Sequence, residues 1–209
     1  MSKAGLVAIL ITLISSCGVI RAPEYANLFG NLIFGADNLK IDEEFYNSQK
    51  FSFAKVSIGR NRVAIVTLGF VKENSLEWFT RTQAGFFTQN GKIISLIEFP
   101  HDFRVEIANK LIFNRKKAQS NSIDLYLKDP DGFFMQDTLL KFERDEEIKY
   151  LDDYIDVELY SESVKTYGLK WSFANKYWVD PSTGMVLKTE QSVHPRLPKI
   201  KAEYYYKYD

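Results

Sequence analysis

The chain has 209 residues, enough for one domain with a substantial hydrophobic core, and its 27 basic and 27 acidic side chains balance, which excludes the charge footprint of a nucleic-acid or polyanion binder. A single cysteine excludes any disulfide within the chain, so stability rests on packing. Aromatics make up 15% of the residues, with 12 Tyr and 16 Phe, a composition that favours pleated sheet over helix.

Lys3 is followed by 13 uncharged residues, 4–16, and then by Cys17, the ordering of a secretory signal peptide. A permanent membrane helix needs roughly 20 apolar residues, so this run is too short to be one. Its last residues with the cysteine, Ile14-Ser15-Ser16-Cys17, resemble a bacterial lipobox. That resemblance implies diacylglyceryl transfer to Cys17, cleavage before it and N-acylation of the new terminus. One acyl chain binds a membrane only marginally, but two or three, at about 0.8 kcal/mol per buried methylene, make attachment effectively permanent. Gly18 follows the cysteine where an inner-membrane retention signal would have Asp. The expectation is therefore a lipoprotein anchored in the outer membrane and facing the periplasm. Its expected organisation is a signal peptide over 1–16, an acylated cysteine and tether over 17–22, and one β-rich domain over 23–209. The covalent lipid on Cys17 is the only prosthetic group expected.

Pro23 and Glu24 suit a first helical turn, and Tyr25, Leu28, Phe29, Leu32 and Ile33 recur at helical spacing. This predicts a helix over 23–35, packed on a sheet rather than on the membrane because its polar face lacks Lys and Arg. From Phe51 the period changes to two, with a turn at 58–62 and a near-continuous apolar run over 63–71 that predicts a central strand. Strands follow at 76–82 and 86–96, the second folding back at Asn90-Gly91, where both turn residues need positive φ. Phe99-Pro100-His101-Asp102-Phe103 interrupts the strands, 103–112 reads as a short helix or irregular crossing, and 114–122 as an exposed loop. Asp129-Pro130-Asp131-Gly132 makes a turn after an alternating run over 123–127. Further strands are expected at 138–144, 156–162, 169–173, 176–179, 185–191 and 202–208. Short strands joined by turn chemistry predict a mainly β fold, an antiparallel sandwich or barrel with a short N-terminal helix.

The stretch 175–188 reads as a hairpin around Asp180-Pro181-Ser182-Thr183-Gly184, with Tyr177 and Val179 on one face and Trp178 on the other. Together with Gln191, Pro195, Pro198 and Ile200, and with the earlier Leu76-Glu77-Trp78, Gly85-Phe86, Asn90-Gly91-Lys92-Ile93 and His101-Asp102-Phe103, it resembles the group 4 capsule polysaccharide lipoproteins, the YjbF/GfcB-like family. One departure is Glu98-Phe99-Pro100, where the family tends to have Gly before the His/Asn-Asp element. The resemblance implies an outer-membrane lipoprotein made alongside capsule or exopolysaccharide export machinery, with export proteins or the polysaccharide itself as partners. It implies no catalysis, and Cys17 is the only residue it carries over. The Trp-Val-Asp-Pro-x-Thr-Gly hairpin also resembles carriers of the LolA/LolB type, which implies an alternative role as a periplasmic binder of acyl groups. The many aromatics suit such a cavity and equally suit a filled core.

Neither His101 nor His194 belongs to a metal-spaced pair, and nucleophile-elbow, phosphate-loop and dinucleotide patterns are absent from the sequence, so an enzyme is not expected. The run 143–158 concentrates acidic residues, and Glu146, Glu147, Asp152 and Asp153 are its candidate docking residues for a basic partner. Sugars stack on exposed aromatics, which makes Trp78, Trp171 and Trp178 the candidate glycan contacts, beside Tyr204-Tyr205-Tyr206.

Overall fold

The computed structural model describes residues 39–59, 63–73, 75–99, 101, 103–106 and 110–207. The signal peptide, Cys17 and the helix expected over 23–35 lie outside these residues.

Alternating apolar residues and frequent turns give a meander of twelve antiparallel strands among the described residues. They are β1 (Phe53–Ile58), β2 (Ala64–Lys72), β3 (Ser75–Phe79), β4 (Gly85–Gln89), β5 (Lys92–Ile97), β6 (Phe103–Glu106), β7 (Gln119–Lys128), β8 (Asp131–Tyr150), β9 (Asp153–Thr166), β10 (Trp171–Val179), β11 (Val186–Gln191) and β12 (Ile200–Tyr205). Each strand pairs with its sequence neighbours, and β12 returns to β1 from Ile58↔Ile200 to Phe53↔Tyr205, closing the barrel. The expectation of a sandwich or barrel thus resolves to a closed barrel.

The barrel is flattened. A round barrel of this strand number would enclose a lumen. Yet β5 and β11, six places apart either way round the ring, touch directly. The Gln191 side chain donates to the Gly91 carbonyl at 2.7 Å and accepts from the Ile93 N–H at 2.9 Å. Between the apposed walls pack Val56, Val66, Trp78, Phe86, Leu125, Leu127, Ile200 and Tyr204, all buried. Each such large apolar side chain contributes about 1.5–3 kcal/mol on leaving water.

The Asn90-Gly91 turn forms as its sequence dictates, with φ of 45° and 75°. The Asp180 loop also forms. Its carboxylate accepts from the Ser182 N–H and hydroxyl and from the Thr183 hydroxyl, and Gly184 takes a φ of 72°. Tyr177 and Val179 point into the barrel while Trp178 lies on its outer wall, as alternation requires.

Two local expectations are corrected, the loop expected over 114–122 is shortened because 119–122 belongs to β7, and one element is new. The run 63–71 is not buried on both faces, because the far half of β2 leaves the barrel body, with Phe70 60% and Val71 65% exposed. Part of 103–112 is strand β6, recruited by pairing with β7 from Phe103↔Leu127 to Glu106↔Asp124. An unexpected helix, α1 (Glu43–Ser48), is started by Asp42, whose carboxylate accepts from the Phe45 N–H at 2.9 Å.

The longest elements are β8 and β9. β8 loses its β7 partner after Leu140 and bulges at Phe142/Arg144, β9 stays paired with β10 as far as Glu158↔Val179, and from there the two continue as a two-stranded ribbon. Ile148 and Val157 of the ribbon pack with Trp178 and Leu187 on the outer wall, where Leu159 stands directly across from Trp178. Near its tip Tyr150 stacks on Tyr205 at 5.2 Å and donates to the Tyr204 carbonyl. At the tip Asp152 accepts from Lys40 Nζ at 2.9 Å and from the Glu43 N–H at 3.0 Å. The ribbon therefore straps the outer wall and grips the segment that enters the barrel.

Candidate functional site

The tryptophans expected to meet sugars are not brought together. Trp78 is fully buried inside the barrel, donates to Thr88 Oγ1 at 3.0 Å and packs against Phe86 and Tyr204, so neither ring face is open to a ligand. Trp178 is buried under the ribbon, with Glu146 accepting from its indole N–H at 3.2 Å and Lys188 Nζ 4.9 Å from its ring centre. Trp171 keeps partial exposure and pairs with Phe173 at 4.3 Å. Burial in both walls defeats stacking at Trp78 and Trp178; sequence alternation told which face each took but not that the outer face would be covered.

The four acidic candidates all lie on the ribbon, in different settings. Glu146 is committed to Trp178 and to Arg144 at 2.7 Å. Asp152 is committed to Lys40 and the Glu43 N–H; that backbone bond first, and then Lys40, holds its carboxyl below the usual range. Glu147 and Asp153 are exposed. Arg115, from the segment before β7, reaches Asp145 at 2.6 Å and Glu158 at 3.2 Å, so the acidic run is partly neutralised within the chain.

Two clusters were missed by sequence reasoning. Inside the barrel, Glu162 is fully buried and accepts from Lys92 Nζ at 2.5 Å, from Tyr177 at 2.8 Å and from Asn175 at 2.9 Å. Burial, reinforced by the Glu162 carboxylate, pushes the Tyr177 phenol well up. The cluster joins β5, β9 and β10, and its enclosure marks it as a bolt between walls. At the barrel end formed by the turns after β5, β7 and β11, the rings of His101 and His194 stack at 4.9 Å and 7°. Asp129 sits 3.5 Å from His101 and pairs with Arg196, whose N–H donates to His194 Nδ1 at 3.1 Å. Burial, then the neighbouring His101, pushes His194 down to about 4, so it is neutral at ordinary pH. The two histidines are remote in sequence, and no spacing rule could have paired them. Among the described residues no group of three or more His, Cys, Asp or Glu is placed to hold a metal ion.

One open feature is a groove of about 750 Å³ on the outer wall of β7–β10. Register places Ser120, Leu139 and Ser163 on one rung and Ser122, Asp137, Lys165 and Ser172 on the next. These side chains all belong to the exposed face of the alternation, and the small serines leave the wall concave. Asp137 is fixed by the Ser122 hydroxyl at 3.1 Å and the Tyr167 hydroxyl at 2.5 Å, and the bond to Asp137 raises the Tyr167 phenol. Larger apolar side chains flank this lane: Phe133 is 80% exposed, Met135 48% and Tyr167 40%.

The barrel is thus filled and flattened, and this groove lies on its outer wall. Sequence comparison gives the kinship of that wall. The model of the family described as group 4 capsule polysaccharide lipoprotein gfcB, YjbF, matches residues 27–204, and the chain belongs to that family. The fold is similar to the crystal structure of the hypothetical lipoprotein YmcC from Escherichia coli K12, with TM-score 0.69 and 16% identity over 88% of this chain and 94% of that one. Weaker matches are an exported protein with a YmcC-like fold from Bacteroides fragilis, with TM-score 0.38 and 9% identity over 82% and 97% of the two chains, and a lipoprotein from Parabacteroides distasonis, with 0.34 and 14% over 75% and 94%. Comparison with curated proteins returns no match.

Proposed function

We propose that the protein is an outer-membrane lipoprotein, anchored through acylated Cys17 with its barrel in the periplasm, that serves capsule or exopolysaccharide production and export as a non-enzymatic accessory factor. The observation that carries this reading is the family match over 27–204, and the lipobox-like Ile14-Ser15-Ser16-Cys17 supports the anchor. The filled interior does not favour the acyl-carrier alternative, since Trp78, Tyr204 and their neighbours occupy the space a carrier would leave open. Export proteins are the expected partners, with Glu147 and Asp153 the acids of the ribbon left exposed for a basic one.

The test is a chromosomal deletion complemented by the wild-type gene or by Cys17→Ser. Deletion should lower surface polymer, and wild type should restore it. Cys17→Ser should take up no radiolabelled fatty acid and leave the outer-membrane fraction. Unchanged polymer in the deletion strain would remove the export role, and unchanged labelling of Cys17→Ser would remove the anchor.

A further inference from the structure

The outer groove offers chemistry that the core does not use. The hydroxyls of Ser120, Ser163 and Ser172 have no hydrogen-bond partner among the described residues, although all three side chains lie along the same concave lane. Lys165 pairs directly across from Asp137 in the β8–β9 ladder, yet Asp137 is satisfied by two hydroxyls, and the Lys165 ammonium instead sits 5.1 Å from the Tyr167 ring centre. The lane thus presents hydroxyls that both donate and accept, one oriented carboxylate, one ammonium and the apolar flank of Leu139, which is 40% exposed. Across four strands it runs about 14 Å.

The ladder beneath the lane limits how a ligand can be held there. The rows of the lane are paired with one another from β7 through β10, so a ligand lying on their outer face meets side chains rather than free backbone groups. A ligand must be held by side chains alone. Asp137 and Lys165 leave the lane without net charge, which complements an uncharged, hydroxyl-rich chain rather than a strongly basic or acidic one. Four large apolar residues, Phe133, Met135, Leu139 and Tyr167, are exposed on the same wall; of these Leu139 lines the lane and Tyr167 borders it through its bond to Asp137. We infer that this groove is a glycan-binding subsite that takes a run of uncharged sugar residues of the polymer, hydroxyls to the serines and Asp137, C–H faces to Leu139 and Tyr167. The inference rests on the export reading proposed above.

The probe is the exopolysaccharide of the encoding organism, partially hydrolysed to oligosaccharides. It is titrated calorimetrically into the full acylated chain in a detergent without a sugar headgroup. Wild type should bind, and Ser163→Leu, which fills the lane, should weaken binding at least about tenfold. Lys165→Ala, which fills nothing, should weaken it by a smaller factor. Both variants should melt with wild type, since the positions are exposed. Raising salt from about 0.05 to 0.3 M should change the affinity less than about twofold, because no net charge is matched. Absence of binding by wild type, or equal binding by Ser163→Leu, would overturn the subsite. So would a groove-dependent flotation with phospholipid vesicles or a dimer that Ser163→Leu dissolves. If polymer output falls on deletion while the oligosaccharides fail to bind, the export role stands and the groove assignment alone falls. If deletion leaves polymer unchanged, the export role falls whatever the titration shows.

Discussion

Glu162 shows how one side chain can hold two walls together. It is fully buried and satisfied by Lys92, Tyr177 and Asn175, so Glu162→Leu leaves an ammonium inside the barrel with no counter-charge. Removing one partner of a buried pair costs about 3–5 kcal/mol, whereas replacing both by apolar residues is often neutral. Urea denaturation should show that full loss for Glu162→Leu and substantial recovery in Lys92→Met/Glu162→Leu. Gly91 has a φ of 75°, and a Cβ there would meet Val186 at 2.7 Å. Gly91→Ala therefore strains the turn and wedges the walls apart, and about 1–3 kcal/mol should be lost in the same assay. His194 couples the fold to pH. It stays neutral in the folded chain down to about 4, whereas the unfolded chain takes up a proton near 6.5. Between those values the unfolded state binds more protons, so stability is full above about 6.5 and declines by at most about 3 kcal/mol toward 4. His194→Gln should flatten that slope in melts between about pH 7 and 4.

At the scale of elements the β8–β9 ribbon does what the rest of the meander cannot. Barrel closure leaves the outer faces of β10, β11 and β12 wet, with Trp178, Leu187 and Tyr205 on them; the ribbon covers all three. Trp178→Ala should cost about 3–5 kcal/mol, the range for a large buried aromatic, although this residue lies outside the barrel. Its neighbour Asp152 acts differently, because its bonds to Lys40 and the Glu43 N–H are exposed. Asp152→Asn should leave the melting temperature near wild type while amide exchange quickens over 43–48, the helix beside the grip. Unchanged exchange there would show that α1 is held by its apolar contacts alone, through Phe45 and Tyr46 on Phe53.

For the whole molecule, the division between a filled interior and a furnished exterior decides where function is sought. The acidic ribbon and the serine lane are separate surfaces, and variants keep them apart. Glu147→Gln/Asp153→Asn spares the acids that bond Trp178 and Lys40, so it tests docking without loosening the strap. If the ribbon docks a basic partner, capture in envelope crosslinking should fall in this double variant and fall with rising salt in wild type. Full capture would return these residues to a solvated face. Oligosaccharide binding at the lane should be untouched by the same double variant.

Alternation and turn residues made the β class, the Asn90-Gly91 turn and the Asp180 loop legible, because these depend on the φ demands of a few adjacent residues. The ordered family motifs made the kinship legible. Elements whose partners are distant were not. β6 is a strand because β7 pairs with it, and its own sequence is ambiguous. Trp78 and Trp178 looked alike as candidate platforms, yet one lies between the walls and the other under a ribbon from elsewhere in the chain. The serines of the lane carry no motif, and each is an ordinary strand residue until register aligns β7 to β10. Local chemistry thus determined the period, the turns and the lipobox-like start; only the tertiary structure, by pairing distant strands and flattening the barrel, decided which side chains are bolts, which are covered and which stay exposed.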